Sequence, residues 1–293
     1  DAAARVADGH HDLVPETLRG DPDRAALPGI LDGVSGVQLG DRVAVTYNSS
    51  PPPEGLFGVQ CDVTSTESVD AAFAAVEAEF GPVEILVSNA GVTNDGLLLR
   101  MKEADFTSVI DANLTAAFRV TKRASQGMLR ARKGRIVLVS SVVALLGSAG
   151  QANYAAAKLG IVGLSKSIAL DMQRFGVRSN AVAPFAWTRM IDSIPTDTPE
   201  QQKRVEGLKK LDSNKIGPLC VALCSDAAAK VTGQIFGVRN NEIFLFSQPR
   251  PMRAAHTAEG WTPETIAERV FPQFANDFYA LHRSADVFSW DPV

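Results

Sequence analysis

Short apolar runs alternate with helical stretches from residue 41 to residue 240. "RVAVTYN" (42–48) is an apolar run that "SSPPPEG" interrupts, and "GLFGVQCDV" (55–63) is a second. "VEILVSNAG" (83–91), "GRIVLVSS" (134–141), "VRSNAVAP" (177–184) and "GQIFGV" (233–238) continue the series. Runs this short, rich in Val and Ile, predict strands. Between them "TESVDAAFAAVEAEFG" (66–81) repeats its apolar residues at helical intervals and stops at Gly81. Residues 103–133 predict one long helix, 152–175 another and 216–225 a third. Near-continuous apolar strands alternating with helices predict an α/β protein with a doubly wound parallel sheet covered on both faces.

The pattern fails at both ends. Residues 1–40 are rich in Asp, Gly, Ala and Pro, show no firm period and offer no apolar strand. Few apolar groups there predict the least ordered part of the molecule. Residues 241–293 form an extension in which "EGWTPETIAERVFPQF" opens a helix, with Thr262 as N-cap and Pro263 first. Its aromatic residues predict packing on the core or on a neighbouring subunit. The expected organisation is an atypical N-terminal segment (1–40), one domain (41–240) and a C-terminal extension (241–293), without internal repeats.

Composition narrows the classes. The 293 residues are 45% hydrophobic and 21% charged, as in ordinary soluble domains. A net charge of −4 argues against a nucleic-acid partner. No apolar run approaches the ~18 residues of a membrane span. The opening "DAAARVADGHHDLV" lacks the basic and apolar regions of a secretory signal. Cys61, Cys220 and Cys224 suit a reducing compartment, so a cytoplasmic protein is expected. Cys220 and Cys224 read as a core-facing helical stripe. His10 and His11 beside Asp8 and Asp12 read as a polar loop, and no metal site is expected.

In open doubly wound sheets, ligands bind beyond the carboxyl ends of the strands. Asp62, "NAG" (89–91), "SS" (140–141) and the turn at Pro184 fall at such ends. The next helix carries Tyr154 and Lys158 four residues apart, on one face. A phenol with pKa near ~10 is a poor proton carrier at neutral pH. An ammonium about 4 Å away, at an effective dielectric of ~20, would stabilise the phenolate by about 4 kcal/mol. That is roughly three pKa units and predicts a Tyr154 near 7.

The strand-end "NAG", Asn113 in the next helix, Ser141, and Tyr154-x-x-x-Lys158, with Ser141 thirteen residues before Tyr154, together resemble the short-chain dehydrogenase/reductase family. The resemblance covers about residues 41–240 and implies a Rossmann-like fold. Residues 41–158 are similar to bacterial 3-oxoacyl-acyl-carrier-protein reductases. From 159, "NAVAPFAWTRM" and "VTGQIFGVRNNEIFLFSQPRP" resemble hydroxyacyl-CoA or steroid-type members. The resemblance implies Tyr154 as proton donor to a substrate carbonyl and Ser141 as hydrogen-bond donor to the same oxygen. It implies Lys158 on the nicotinamide ribose and Asn113 on a relay water. Asp62, Val63, Asn89, Ala90, Gly91, Pro184 and Thr188 would line the cofactor with Tyr154 and Lys158. Asn48, Ser49 and Ser50 stand where NAD-preferring members often carry an acid, so NADP (NADPH) is expected ahead of NAD.

Two departures stand out. Gly33, Gly36 and Gly40 do not make the family's Thr-Gly-x-x-x-Gly-x-Gly turn, which carries the pyrophosphate on a helix N-terminus. Either residues 1–40 supply an irregular substitute or the sheet lacks its middle and binds cofactor weakly. Phe185 follows Pro184 where many members have Gly. Residues 190–215 lie where the family keeps a substrate-covering segment. Arg130, Arg132, Lys133 and Arg135 either steer an anionic carrier or complement a helix C-terminus. The expected function is reduction of a 3-oxoacyl thioester, on acyl carrier protein or CoA, by a homodimer or homotetramer. A steroid or other secondary-alcohol dehydrogenase, and a non-catalytic subunit without cofactor, are the alternatives.

Overall fold

The computed structural model describes residues 25–28, 42–49, 51–52, 55–185, 198, 202, 205–206, 211–282 and 284–292; of residues 25–28 only the backbone is considered. Eight strands form one sheet: β1 (Ala25–Pro28), β2 (Arg42–Tyr47), β3 (Phe57–Gln60), β4 (Val83–Ser88), β5 (Gly134–Val139), β6 (Val177–Phe185), β7 (Ile235–Arg239) and β8 (Glu242–Leu245). Their order is β3-β2-β1-β4-β5-β6-β7-β8. All neighbours are parallel except β7 and β8. The predicted doubly wound α/β fold is the one observed.

The helices that position the site are α1 (Thr66–Phe80), α2 (Glu103–Ile110), α3 (Ala116–Ala131), α4 (Val142–Leu146), α5 (Ala152–Met172) and α6 (Gly217–Cys224). The strand period of two explains the two-sided core. Leu86, Ile136 and Leu138 face α1, α3 and α5, where Phe73, Val76, Met128 and Ile161 are buried. Ile85, Val87, Val137 and Val139 face the other way, onto Leu219, Cys220 and Leu223 of α6. Each such side chain contributes roughly 1.5–3 kcal/mol on full burial. The cysteine stripe is therefore core, as its spacing predicts.

One expectation is corrected. A central strand exists: Ala25–Pro28 pairs with β2 on one side and β4 on the other. It is only four residues long and holds two alanines and a proline, so apolar patterning could not reveal it. The sheet therefore does not lack its middle strand, while the turn expected after it falls outside the described residues. Residues 1–24 and 29–41 lie outside the described residues, and with them His10, His11, Gly33, Gly36, Gly40 and the expectation of poor order. Ser50, Thr188 and most of 190–215 lie outside them too.

Because β2 and β3 extend to one side of β1 and the later strands to the other, the sheet reverses its winding between β1 and β4. That switch point opens a crevice at the carboxyl ends of the strands. The long helix expected over 103–133 is broken by a π-turn, Asp111–Thr115. The C-terminal helix begins as predicted, with the Thr262 hydroxyl accepting from Thr265 N–H. It then passes into a π-turn, Ile266–Val270, just before Pro272. Proline has no N–H to return to the preceding turn, so the α ladder cannot run through.

Candidate active site

β5 and α5 build the centre of the site. Ser141 follows β5 and caps α4, its hydroxyl accepting from Val143 N–H at 3.2 Å. The Tyr154 phenol comes close enough to the same hydroxyl for it to lower the phenol's pKa. Ser140 turns the other way and donates to the Lys158 carbonyl at 2.7 Å, tying α5 to the end of β5. The two serines thus divide the work, and Ser141 is the one that meets the tyrosine.

Tyr154 is 7% exposed and Lys158 3%. The expected geometry between them needs correcting. Lys158 Nζ donates to the Val139 carbonyl at 3.0 Å and lies 5.7 Å from the Tyr154 ring centre. Burial holds the ammonium down at about 8. Burial also pushes the phenol above its ordinary value, outweighing the Ser141 hydrogen bond that lowers it, while Asp95 raises it further. The expected fall of Tyr154 towards 7 is therefore reversed in the free protein. Desolvation disfavours both charged forms, and it is larger than the attraction invoked from spacing alone.

Asn113 sits in the π-turn with 0% exposure. Its Nδ2 donates to the Val92 carbonyl at 2.8 Å and to the Val109 carbonyl at 2.9 Å. Taking the Val109 carbonyl four residues back competes with the helix ladder, which accounts for the local π geometry. Its Oδ1 is buried with no partner. A Cβ on Gly91 would collide with that oxygen and come within 3.2 Å of Lys158 Nζ. Gly91 is therefore packed directly against Asn113 and Lys158, where only a residue without a Cβ fits. Asn153, which sequence reasoning missed, is wholly buried. It accepts from Tyr154 N–H at 2.8 Å and donates to the Asn94 and Asp105 carbonyls at 2.9 and 3.3 Å. The signal available was an Asn directly before the tyrosine at the start of the helix.

At the other end of the crevice a cavity of about 140 Å³ is lined by Thr46, Val63, Ser88, Asn89, Ala90 and their neighbours. Asn89 Nδ2 is buried there without a partner. Asp62 is exposed, and its carboxylate accepts from the Thr64 hydroxyl at 2.7 Å and from Thr64 N–H at 2.9 Å. Those hydrogen bonds, the hydroxyl's first, hold it below the usual carboxylate range. Pro184 lies at the end of β6. The basic group around residue 130 is at the amino end of β5. There Arg132 donates to the Arg174 carbonyl, Lys133 pairs with Glu84 and Arg135 with Asp226.

The chain is similar in sequence to known proteins over most of its length. A family model described as Enoyl-(Acyl carrier protein) reductase matches residues 39–239. The 3-oxoacyl-acyl-carrier-protein reductase MabA of Mycobacterium avium is 44% identical over 203 residues, 67% of this chain and 78% of that protein. The MabA protein of Mycobacterium tuberculosis is 43% identical over 205 residues, 68% of this chain and 81% of that protein. The chain belongs to the short-chain dehydrogenase/reductase family. The FabG reductase of Escherichia coli is similar as well, 39% identical over 188 residues, 62% of this chain and 75% of that protein. The short-chain dehydrogenase/reductase match spans both the part read as similar to carrier-protein reductases and the part after residue 159 up to 239. Among the described residues, no helix is long and apolar enough to cross a membrane.

Proposed function

We propose that the chain reduces a 3-oxoacyl thioester, carried on acyl carrier protein or CoA, to the 3-hydroxyacyl thioester, with NADPH. The observation that carries this reading is the buried trio of Ser141, Tyr154 and Lys158, with the Ser141 hydroxyl near the Tyr154 phenol and Lys158 Nζ 5.7 Å from its ring centre. Two O–H donors converging on one point suit a carbonyl oxygen that becomes an alkoxide. Relatives named as 3-oxoacyl reductases support the substrate class.

The residues present fit a nicotinamide dinucleotide. The unpartnered Asn89 amide donor in the cavity and the unpartnered Asn113 Oδ1 are buried polar atoms of the kind a bound group satisfies. Asp62, Val63, Asn89 and Ala90 would hold its adenosine side, and Gly91, Lys158 and Pro184 the nicotinamide side. When bound, the cofactor supplies the hydride that reaches the carbonyl carbon. Tyr154 gives its proton to the carbonyl oxygen while Ser141 donates a hydrogen bond to that oxygen. A phenol is protonated at neutral pH and burial favours that form further, so the acid is in its working form before substrate arrives. Lys158 stabilises the phenolate left behind, and its ammonium is the source of the returning proton. Asn113 Oδ1, buried without a partner, orients a water through which that proton is replaced from solvent.

Exposed Phe118, Leu129, Leu159 and Leu170 on α3 and α5 favour a homodimer or homotetramer. The test of the function is NADPH oxidation by the purified chain with acetoacetyl-CoA and with acetoacetyl-acyl carrier protein. Formation of one 3-hydroxyacyl thioester per NADPH consumed is expected. No oxidation with either thioester would overturn the reading.

A further inference from the structure

The last nine described residues return to the crevice from the far end of the extension. Ser284–Val287 packs against α4, the helix that Ser141 caps. Immediately after it, the Phe288 ring meets Phe185 edge-on, with centres 4.6 Å apart, and Phe244 at 5.0 Å. Phe185 is the last residue of β6, next to Pro184, and stands in register with Arg239 at the end of β7. The segment therefore bridges both shoulders of the crevice, the one after Ser141 and the one after Pro184.

A latch holds it there. Arg239, 6% exposed, donates to the Trp290 carbonyl, and its guanidinium lies 5.3 Å from the Trp290 ring centre and 5.9 Å from that of Phe288. Trp290 Nε1 donates to Glu242 at 2.5 Å, and Glu242 also lies 3.7 Å from Arg239. A buried arginine with two aromatic neighbours, a carbonyl acceptor and a carboxylate is a fixed attachment. Yet Phe185, Phe244 and Phe288 are each only half-buried, so their cluster keeps an open apolar face. On the α4 side the surface continues as Val143, half-buried and packed in the same cluster as Tyr154.

Building on the proposed function, we infer that Phe288, seated on Phe185 by the Arg239–Glu242–Trp290 latch, forms an apolar wall for the acyl chain of the thioester substrate. It is a specificity-determining element that touches the chain beyond the reacting carbonyl. A four-carbon acyl group is too short to gain from it, whereas each further buried methylene adds about 0.8 kcal/mol, roughly a factor of four in kcat/KM.

The test uses the full-length chain and 3-oxoacyl-CoA substrates of four, eight and twelve carbons. In Phe288→Ala the ratio of kcat/KM for the twelve-carbon to the four-carbon substrate should fall by about tenfold or more. The four-carbon value and the NADPH dissociation constant should stay within about threefold of the parent. Should Phe288→Ala fail to fold, Trp290→Phe, which removes the Nε1 hydrogen bond to Glu242 and leaves a smaller ring beside Arg239, should lower the same ratio by a smaller factor. An unchanged ratio in a folded variant, or a parallel loss at all three lengths, would overturn the wall while leaving the proposed reaction in place. A parent chain that reduces none of the three substrates overturns the reaction and the wall with it.

Discussion

At one end of the crevice Asn113, Ser141, Tyr154 and Lys158 are between 0 and 8% exposed, and each is tied to the backbone or to its neighbours by named hydrogen bonds. At the other end Asp62 and Ala90 are exposed, and Asn89 reaches into its cavity with an unpartnered amide. The first end is assembled by the same contacts that fold β5 and α5. The second rests on a four-residue β1 and on strand-end backbone. Chemistry is thus built into the core, while cofactor grip depends on groups that complete their bonding only with a ligand. Substitutions at the buried end should strike rate and stability together, and those at the open end should move affinity alone.

After Tyr154 itself, the largest expected effect is on Ser141. Ser141→Ala removes one donor to the carbonyl oxygen and should lower kcat by about 10²–10³, the usual scale for one such donor. NADPH affinity, read by fluorescence titration, should hardly change. Equal losses in both would merge the two ends.

Lys158 offers a pH test. Its ammonium has a pKa of about 8 in the folded protein against an ordinary 10.5. The folded value is the lower one, so the unfolded chain binds more protons between those pH values. Stability therefore rises with pH through that window, and the deficit is fully present below about pH 8. Lys158→Met should raise unfolding stability at neutral pH by on the order of 3 kcal/mol. That advantage should fade as pH climbs to 10.5, in urea melts taken across the range. A pH-independent difference would show that burial does not depress the lysine's pKa.

Gly91→Ala should cost about 1–3 kcal/mol, the usual range for overpacking, because its Cβ meets Asn113 Oδ1. The loss should appear in thermal melts of the cofactor-free protein. Asn89→Leu should have the smallest effect. It leaves folding intact and weakens NADPH binding by about 0.5–1.5 kcal/mol, the net worth of one hydrogen bond.

Much of the buried end was legible because its signals are local. The Tyr154–Lys158 spacing, the serines after an apolar run and the stop at Gly81 are all short-range patterns. What the pattern missed depends on partners distant in sequence. Ala25–Pro28 is a strand only because β2 and β4 pair with it on both sides. The π-turn needs Asn113 to reach both Val92 and Val109. The upward push on Tyr154 needs the burial that the whole fold supplies. β8 was invisible because its exposed Ile243 and Leu245 alternate over only four residues. The latch joins Phe185 to Phe288 across more than a hundred positions.

The most direct test of a buried chemical end set apart from an open binding end is Tyr154→Phe, measured for turnover and for NADPH binding on the same preparation. Loss of a general acid should lower the rate of acetoacetyl-CoA reduction by about 10²–10⁴. The dissociation constant for NADPH should stay within about threefold of the parent, since the phenol hydroxyl serves the substrate oxygen. A variant that still turns over within threefold of the parent, or one that loses cofactor binding in step with rate, would contradict it.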